Sequence, residues 1–327
     1  MESKIFQPNS KNILKASKIL QEGGIVVFPT ETVYGIGANA LNDKAVGRIY
    51  AAKKRPQNNP LIVHVENLER ARSIAHFSEI ELFLAENFWP GPLTLVLNSG
   101  SQEISKKVTA GLRTVAIRVP KNATAISLLK TFGKPIAAPS ANISGEVSPT
   151  LATHALDLKK DVEMILDGNY CEIGLESTIL KCDGGKIDIL REGSVTRENI
   201  KKVISFDFPK IKISLQSPGK EIISPGQLLN HYSPKSNLRL NVLEPNKEEV
   251  YLAFGSKEDS IKGFSLSEKR ILTEAARNLY NYLRLADEMI LEDPNSNKKS
   301  IAVAPIPNYG LGASINDRLL RASTVKG

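Results

Sequence analysis

Apolar residues in this chain fall into short, partly β-branched runs separated by stretches with helical spacing. Ile25–Phe28, Leu61–Val65, Leu93–Leu97, Val115–Val119 and Pro135–Ala138 read as short buried strands, and more are expected around 162–166, 177–181 and 187–191. Helices fill the gaps. Asn9 or Ser10 can cap a first helix with Ile13, Leu14, Ile19 and Leu20 roughly on one side, ended by Gly23-Gly24. Asn42-Asp43 caps a second, carrying Val46, Ile49 and Tyr50, which runs into Lys53-Lys54-Arg55 and stops at Pro56. Helical spacing recurs at 67–75, 78–88, about 122–132 and near 150–158, and Thr196 caps a last helix. The alternation predicts an α/β domain on a twisted, mixed open sheet.

From about 205 the pattern changes. Residues 207–237 hold four prolines and little periodicity, as a linker would. Strands at Leu238–Val242 and Val250–Phe254, a helix at about 268–292, a strand at 301–304 and a helix after Gly312 follow. The expected division is therefore 1–206, a proline-rich linker at 207–237, and a small α/β domain at 238–327. No internal repeat is visible.

Composition changes this picture little. A length of 327 residues favours two domains, and 41% hydrophobic with 24% charged residues is ordinary for a globular protein. Cys171 and Cys182 have no metal-ligand spacing, which argues against a disulfide framework and for a reducing compartment. The first residues lack the apolar core of a signal peptide, and no apolar run has membrane-spanning length, so a cytoplasmic protein without membrane contact is expected. A net charge of +8 suits nucleic acid, anionic membrane or phosphorylated small molecules. The lysines are scattered, however, and plain solubility explains them equally well.

Candidate chemistry gathers at strand ends, where open α/β sheets collect ligands. After Pro29, Thr30, Glu31, Thr32 and Tyr34 supply hydroxyls and a carboxylate, and Gly35 and Gly37 read as an open loop. Lys53 and Arg55, fixed by Pro56, suit a polyphosphate, or else complement the dipole of the helix they end. His64 shares a strand face with Ile62, opposite Leu61, Val63 and Val65. Arg118, inside an apolar strand, must pair with a glutamate or bind a substrate carboxylate. Pro139-Ser140-Ala141-Asn142, Gly174–Thr178 and Leu190–Gly193 place polar groups at further strand boundaries. No GxxxxGK[ST] loop, strand-linked GxGxxG or GxSxG elbow is present.

The patches FPTETVYG (28–35), KKRP (53–56) with Pro60-Leu61, VAIRVP (115–120), PSAN (139–142), STI (177–179) and LREG (190–193) occur in a characteristic order. They closely resemble the threonylcarbamoyl-AMP synthase, or YrdC-like, family over roughly residues 10–205. SPGQLLNHYSP at 224–234 and GLGASINDRLLRAS at 310–323 resemble its longer, two-domain branch, in which the C-terminal domain is Rossmann-like. The resemblance implies an enzyme that joins L-threonine, bicarbonate and ATP into threonylcarbamoyl-adenylate and pyrophosphate, with Mg²⁺ carried chiefly by the ATP phosphates. A downstream tRNA-modifying transferase complex would pass the carbamoyl group to an adenosine next to the anticodon.

By matching positions, Thr32, His64, Arg118 and Ser177 would hold L-threonine. Lys53, Arg55, Asn59, Thr114, Ser140, Asn142, Ser148 and Arg191 would hold ATP. His231 and Tyr232 would reach back over the site as a lid. No residue is assigned as a general base, and no covalent protein nucleophile is required. Ser233 departs from the alanine more usual in the long branch, and Gln227-Leu228-Leu229 varies. The rival from another class is a non-catalytic RNA-binding module, with weak tRNA binding resting on the basic charge, but no aromatic-rich RNA signature supports it. A hydrogenase-maturation enzyme on the same scaffold would need fused acylphosphatase and zinc-finger-like segments that this chain lacks.

Overall fold

The structure, a computed structural model, describes residues 4–216, 223–226, 231–256, 263–291 and 298–323. Gln227-Leu228-Leu229 of the lid motif lies outside the described residues. Strands of the first sheet are β1 (Ile5–Phe6), β2 (Val26–Phe28), β3 (Gly35–Asn39), β4 (Ile62–His64), β5 (Ala75–His76) and β6 (Leu93–Ser99). They continue with β7 (Thr114–Arg118), β8 (Ile136–Ala137), β9 (Met164–Leu166), β10 (Thr178–Asp183), β11 (Lys186–Arg191) and β12 (Lys212–Leu215). Their order is β1-β9-β2-β3-β8-β4-β7-β6-β10-β11-β12, with β5 on β6, and the pairings are mixed parallel and antiparallel.

Helices α1 (Ser10–Gln21), α2 (Asp43–Lys53), α3 (Leu68–Ile74), α4 (Glu79–Phe88), α5 (Ala123–Phe132) and α6 (Arg197–Ile204) cover this sheet. Their starts are the ones side-chain chemistry dictates: Asn9, Asn42, Asn122 and Thr196 each accept a free backbone N–H of the first turn. The segment near 150–158 is a 3₁₀ helix, Ala152–Leu158, rather than an α-helix. One core lies against α2 and the faces of β3, β4, β6 and β7, and a second lies under α1 and α5.

Two sequence expectations are corrected. Gly35–Asn39 is a buried strand, not an open loop. Its glycines are there for closeness: a Cβ on Gly37 would stand 2.7 Å from the Phe28 ring and 2.8 Å from Ile136. Lys212–Leu215, inside the expected linker, pairs in parallel with β11 and forms the sheet edge. The short strands β1 and β5 carry too few residues for a pattern to show.

The C-terminal part forms an all-parallel four-stranded sheet, ordered β13 (Asn237–Arg239), β16 (Ser300–Val303), β14 (Glu249–Ala253), β15 (Gly263–Ser265). Helices α7 (Leu272–Leu291) and α8 (Leu311–Ser323) bury their apolar stripes on it. This core also takes in Val33, Val147, Leu175 and Tyr232 from connecting segments earlier in the chain.

Candidate active site

β4 and β7 pair in parallel with Ile62 opposite Ala116 and His64 opposite Arg118. Ile62, His64, Ala116 and Arg118 therefore face one side of the sheet. That side has a small apolar floor of Ile62, Val96, Ala116, Ile179 and Leu190, against which Ile223 of the returning segment packs. Above it lies a cavity of ≈ 530 Å³ including its open mouth. Because the strands here run both ways, the cavity lies over this face as well as beyond strand ends.

At one end is a pre-satisfied cation. Arg118 donates from Nη2 to Glu31 Oε1 at 2.6 Å, from Nη1 to Thr32 Oγ1 at 2.9 Å and from Nε to Gly91 O at 3.2 Å. The other Glu31 oxygen accepts the Lys121 N–H at 3.1 Å. Of the two sequence readings of Arg118, the glutamate pairing is the one observed, with Glu31, and the pair stands in the wall of the cavity that Arg118 lines. Thr30 fixes the loop by accepting the N–H groups of Thr32 and Val33 and donating to Val33 O at 2.6 Å.

At the other end the arginines are hydrogen-bonded but not ion-paired among the described residues. Arg55 donates to carbonyl oxygens, those of the Asn59 backbone (3.1 Å), the Asn59 side chain (2.6 Å) and Pro60 (2.8 Å). Arg191 holds Ser177 O at 3.0 Å and Ser177 Oγ at 3.1 Å, and that hydroxyl pairs with Thr94 Oγ1 at 2.7 Å. Among the described residues neither arginine forms an ion pair, and both line the cavity. Lys53 sits behind the wall, its ammonium donating to the carbonyls of Ser140 and Asn142 and so bracing the PSAN loop.

The returning segment closes the remaining side. Pro225, Gly226, His231 and Tyr232 line the cavity. Gly226 has φ +84°, and a Cβ there would stand 2.7 Å from Arg191 Cδ, so only glycine fits the turn. Tyr232 lies against His231 with ring centroids 4.0 Å apart, and against Tyr280 of α7 at 5.9 Å.

Of the residues singled out in the sequence, Thr32, Arg55, His64, Arg118, Ser140, Ser177, Arg191, His231 and Tyr232 line this single cavity. Lys53, Asn59, Asn142 and Ser148 stand just outside it as supports: Ser148 Oγ donates to Glu176, which lines it. Thr114 shares the face of Ala116 and Arg118 at the far end of β7 and does not line the cavity. Among the described residues, His64 Nδ1, Asn59 Nδ2, Asn142 Oδ1, His231 Nδ1 and Tyr232 Oη are buried without a hydrogen-bond partner. Buried polar atoms are rarely left without a partner from protein, water or ligand.

Burial first, and the Arg118 charge next, push the His64 imidazole down to about 3; burial pushes His231 to about 3 as well. Both are neutral through the physiological range, which makes them hydrogen-bonding surfaces rather than cations. Burial also lowers Arg55, to about 10, and Arg191.

The family described as telomere recombination matches residues 18–193, and the threonylcarbamoyl-AMP synthase C-terminal domain matches 195–324. A threonylcarbamoyl-AMP synthase of Bacillus subtilis is 37% identical over 96% of this chain and 94% of its own. One of Pyrococcus abyssi is 38% identical over 94% and 93%. The crystal structure of P. abyssi Sua5 complexed with L-threonine superposes with a TM-score of 0.86 at 35% identity, covering 98% of this chain and 96% of that one. The chain belongs to the threonylcarbamoyl-AMP synthase family. It is accordingly an enzyme of the nucleotidyltransferase type, with the YrdC-like and C-terminal units of that family in one chain. No helix among the described residues is long and apolar enough to cross a membrane.

What sequence reasoning misses is the partner set. Glu31 and Glu176 stand inside quoted motifs, yet nothing local shows which arginines they meet, 87 and 142 residues away. The signal available is their placement beside apolar strands, where an acid requires a cation.

Proposed function

We propose that the chain is an L-threonylcarbamoyladenylate synthase, condensing L-threonine, bicarbonate and ATP for threonylcarbamoyladenosine modification of tRNA next to the anticodon. In this reading the catalytic unit is 1–206 extended by the edge strand at 212–215, the segment up to 237 closes the site, and 238–327 is the C-terminal unit. One observation carries it: two guanidiniums without acid partners and a separate polar end with a paired arginine share one cavity. The first end suits phosphates; the second suits a small zwitterion. The solved P. abyssi relative complexed with L-threonine supports the second assignment.

The threonine amine adds to bicarbonate carbon with loss of water, forming a carbamate. A carbamate oxygen then attacks the α-phosphorus of ATP, and pyrophosphate leaves with the electrons of the broken P–O bond. Charge developing on the equatorial oxygens meets Arg55 and Arg191. Thr32, the spare donors of Arg118, Ser177 and neutral His64 would hold the amino acid. His231 and Tyr232, with Ile223 on the floor, would exclude water from the labile carbamate. The residues present do not fit a resident metal. Glu176 is taken by Ser148, Tyr280 and Arg318, and Glu31 by Arg118, so Mg²⁺ comes in this reading only with the substrate ATP.

The test is incubation of purified protein with ATP, Mg²⁺, bicarbonate and L-threonine, followed by pyrophosphate assay and mass spectrometry for the adenylate. Threonine-dependent pyrophosphate is expected, with serine a poor substitute. Salt-dependent RNA binding without threonine-dependent ATP consumption would instead establish a non-catalytic RNA-binding module.

A further inference from the structure

The least expected acid in the site is Glu176. It precedes the residue that Arg191 grips, lines the cavity, and is only 5% exposed. A carboxylate so placed opposes an incoming phosphate. Its oxygens, however, are turned towards the C-terminal part. Oε2 accepts Tyr280 Oη at 2.9 Å from α7 and Arg318 Nε at 2.9 Å from α8, and Oε1 accepts Ser148 Oγ.

Arg318 does more. It is 1% exposed, donates to Glu192 O at 2.6 Å, and lies over the Tyr232 ring at 4.9 Å. One turn earlier on α8, Ser314 donates to Gly193 O at 2.8 Å. Helix α8 therefore holds both chain segments beside Arg191, the one at 176 and the one at 192–193. Remove Arg318, and the buried Glu176 charge must find another cation. The one at hand is Arg191, which lines the same cavity and is bonded to the next residue.

We propose that Arg318 is a positioning residue for the nucleotide site: by binding Glu176, it keeps the Arg191 guanidinium available to phosphate. The inference rests on the adenylate-forming reading above and assigns the C-terminal unit a part in ATP affinity.

The test uses the full chain and compares KM for MgATP, KM for threonine and kcat. Arg318→Met is expected to raise the ATP KM at least about tenfold and to lower kcat with it, leaving the threonine KM within about threefold. Arg318→Lys recovers part of the loss. Glu176→Gln combined with Arg318→Met brings the ATP KM back to within about threefold of wild type, because the amide has no charge to place on Arg191. A double variant as impaired as Arg318→Met, or an equal loss for both substrates, makes Arg318 a mere brace and overturns the proposal. Should Arg318→Met not fold, Tyr280→Phe decides: a rise of about two- to fivefold in the ATP KM alone is expected, and no rise overturns it. If the wild-type chain releases no pyrophosphate, the adenylate reading fails by itself, and calorimetric MgATP binding by the same variants still tests Arg318. No MgATP binding by the wild type overturns both.

Discussion

The two ends of the cavity treat positive charge in opposite ways. Around Arg118 the protein supplies its own anion, Glu31, so that end presents hydrogen bonds and shape with little net charge. Around Arg55 and Arg191 the hydrogen-bond acceptors are carbonyl and hydroxyl oxygens, and among the described residues neither arginine forms an ion pair. An internally neutralised arginine fits a ligand that is itself zwitterionic, whereas uncompensated arginines wait for a polyanion. The same residue type is thus ion-paired at one end and, among the described residues, without an ion pair at the other.

The comparison is broken most directly at Arg118. Arg118→Ala leaves Glu31 buried without its cation, and a loss of about 3–5 kcal/mol in denaturant unfolding is expected, with much of it recovered in Glu31→Gln/Arg118→Met. A loss below about 1 kcal/mol would show that the pair is not what holds this end. At the other end, Arg55→Met and Arg191→Met are expected to raise the ATP requirement about 10- to 100-fold, or about 1.4–2.8 kcal/mol, while unfolding free energy changes less than at Arg118. Equal destabilisation at both ends would erase the distinction.

The histidines give a smaller, pH-dependent effect. Both His64 and His231 have folded values near about 3, below their ordinary value, so the unfolded chain binds more protons under pH 6.5. Stability is therefore unaffected above that pH and falls as pH drops towards 3, by about 2 kcal/mol per histidine at pH 5. Urea midpoints at pH 7.5 and 5.0 check this, and His64→Gln is expected to flatten the difference. The smallest effect belongs to Ser177→Ala, which removes one acceptor from Arg191 and is expected to cost about 1 kcal/mol in ATP affinity, measured by titration.

Strands such as Ile25–Phe28 and the caps at Asn9, Asn42 and Thr196 are legible because each is decided by its own few residues. Gly35–Asn39 is not, because its glycines answer to Phe28 and Ile136 packed on them, a contact that no local pattern announces. The site is legible in part. Strand alternation places His64 beside Ile62 on the cavity face, and the structure agrees. Lys53 illustrates the limit: nothing near it in the sequence shows that its ammonium donates to the carbonyls of Ser140 and Asn142. Burial of that kind depends on the loop folding over it, 87 residues later.

The connecting residues that join the C-terminal core bear on how the chain can be cut. A fragment ending near 206 would bring Val33, Val147 and Leu175 to its surface as a sticky patch, having lost Leu279, Tyr280 and the strands that cover them. Shortened versions made for crystallisation or screening therefore invite self-association, and melting of the uncut polypeptide should couple its halves in one cooperative event.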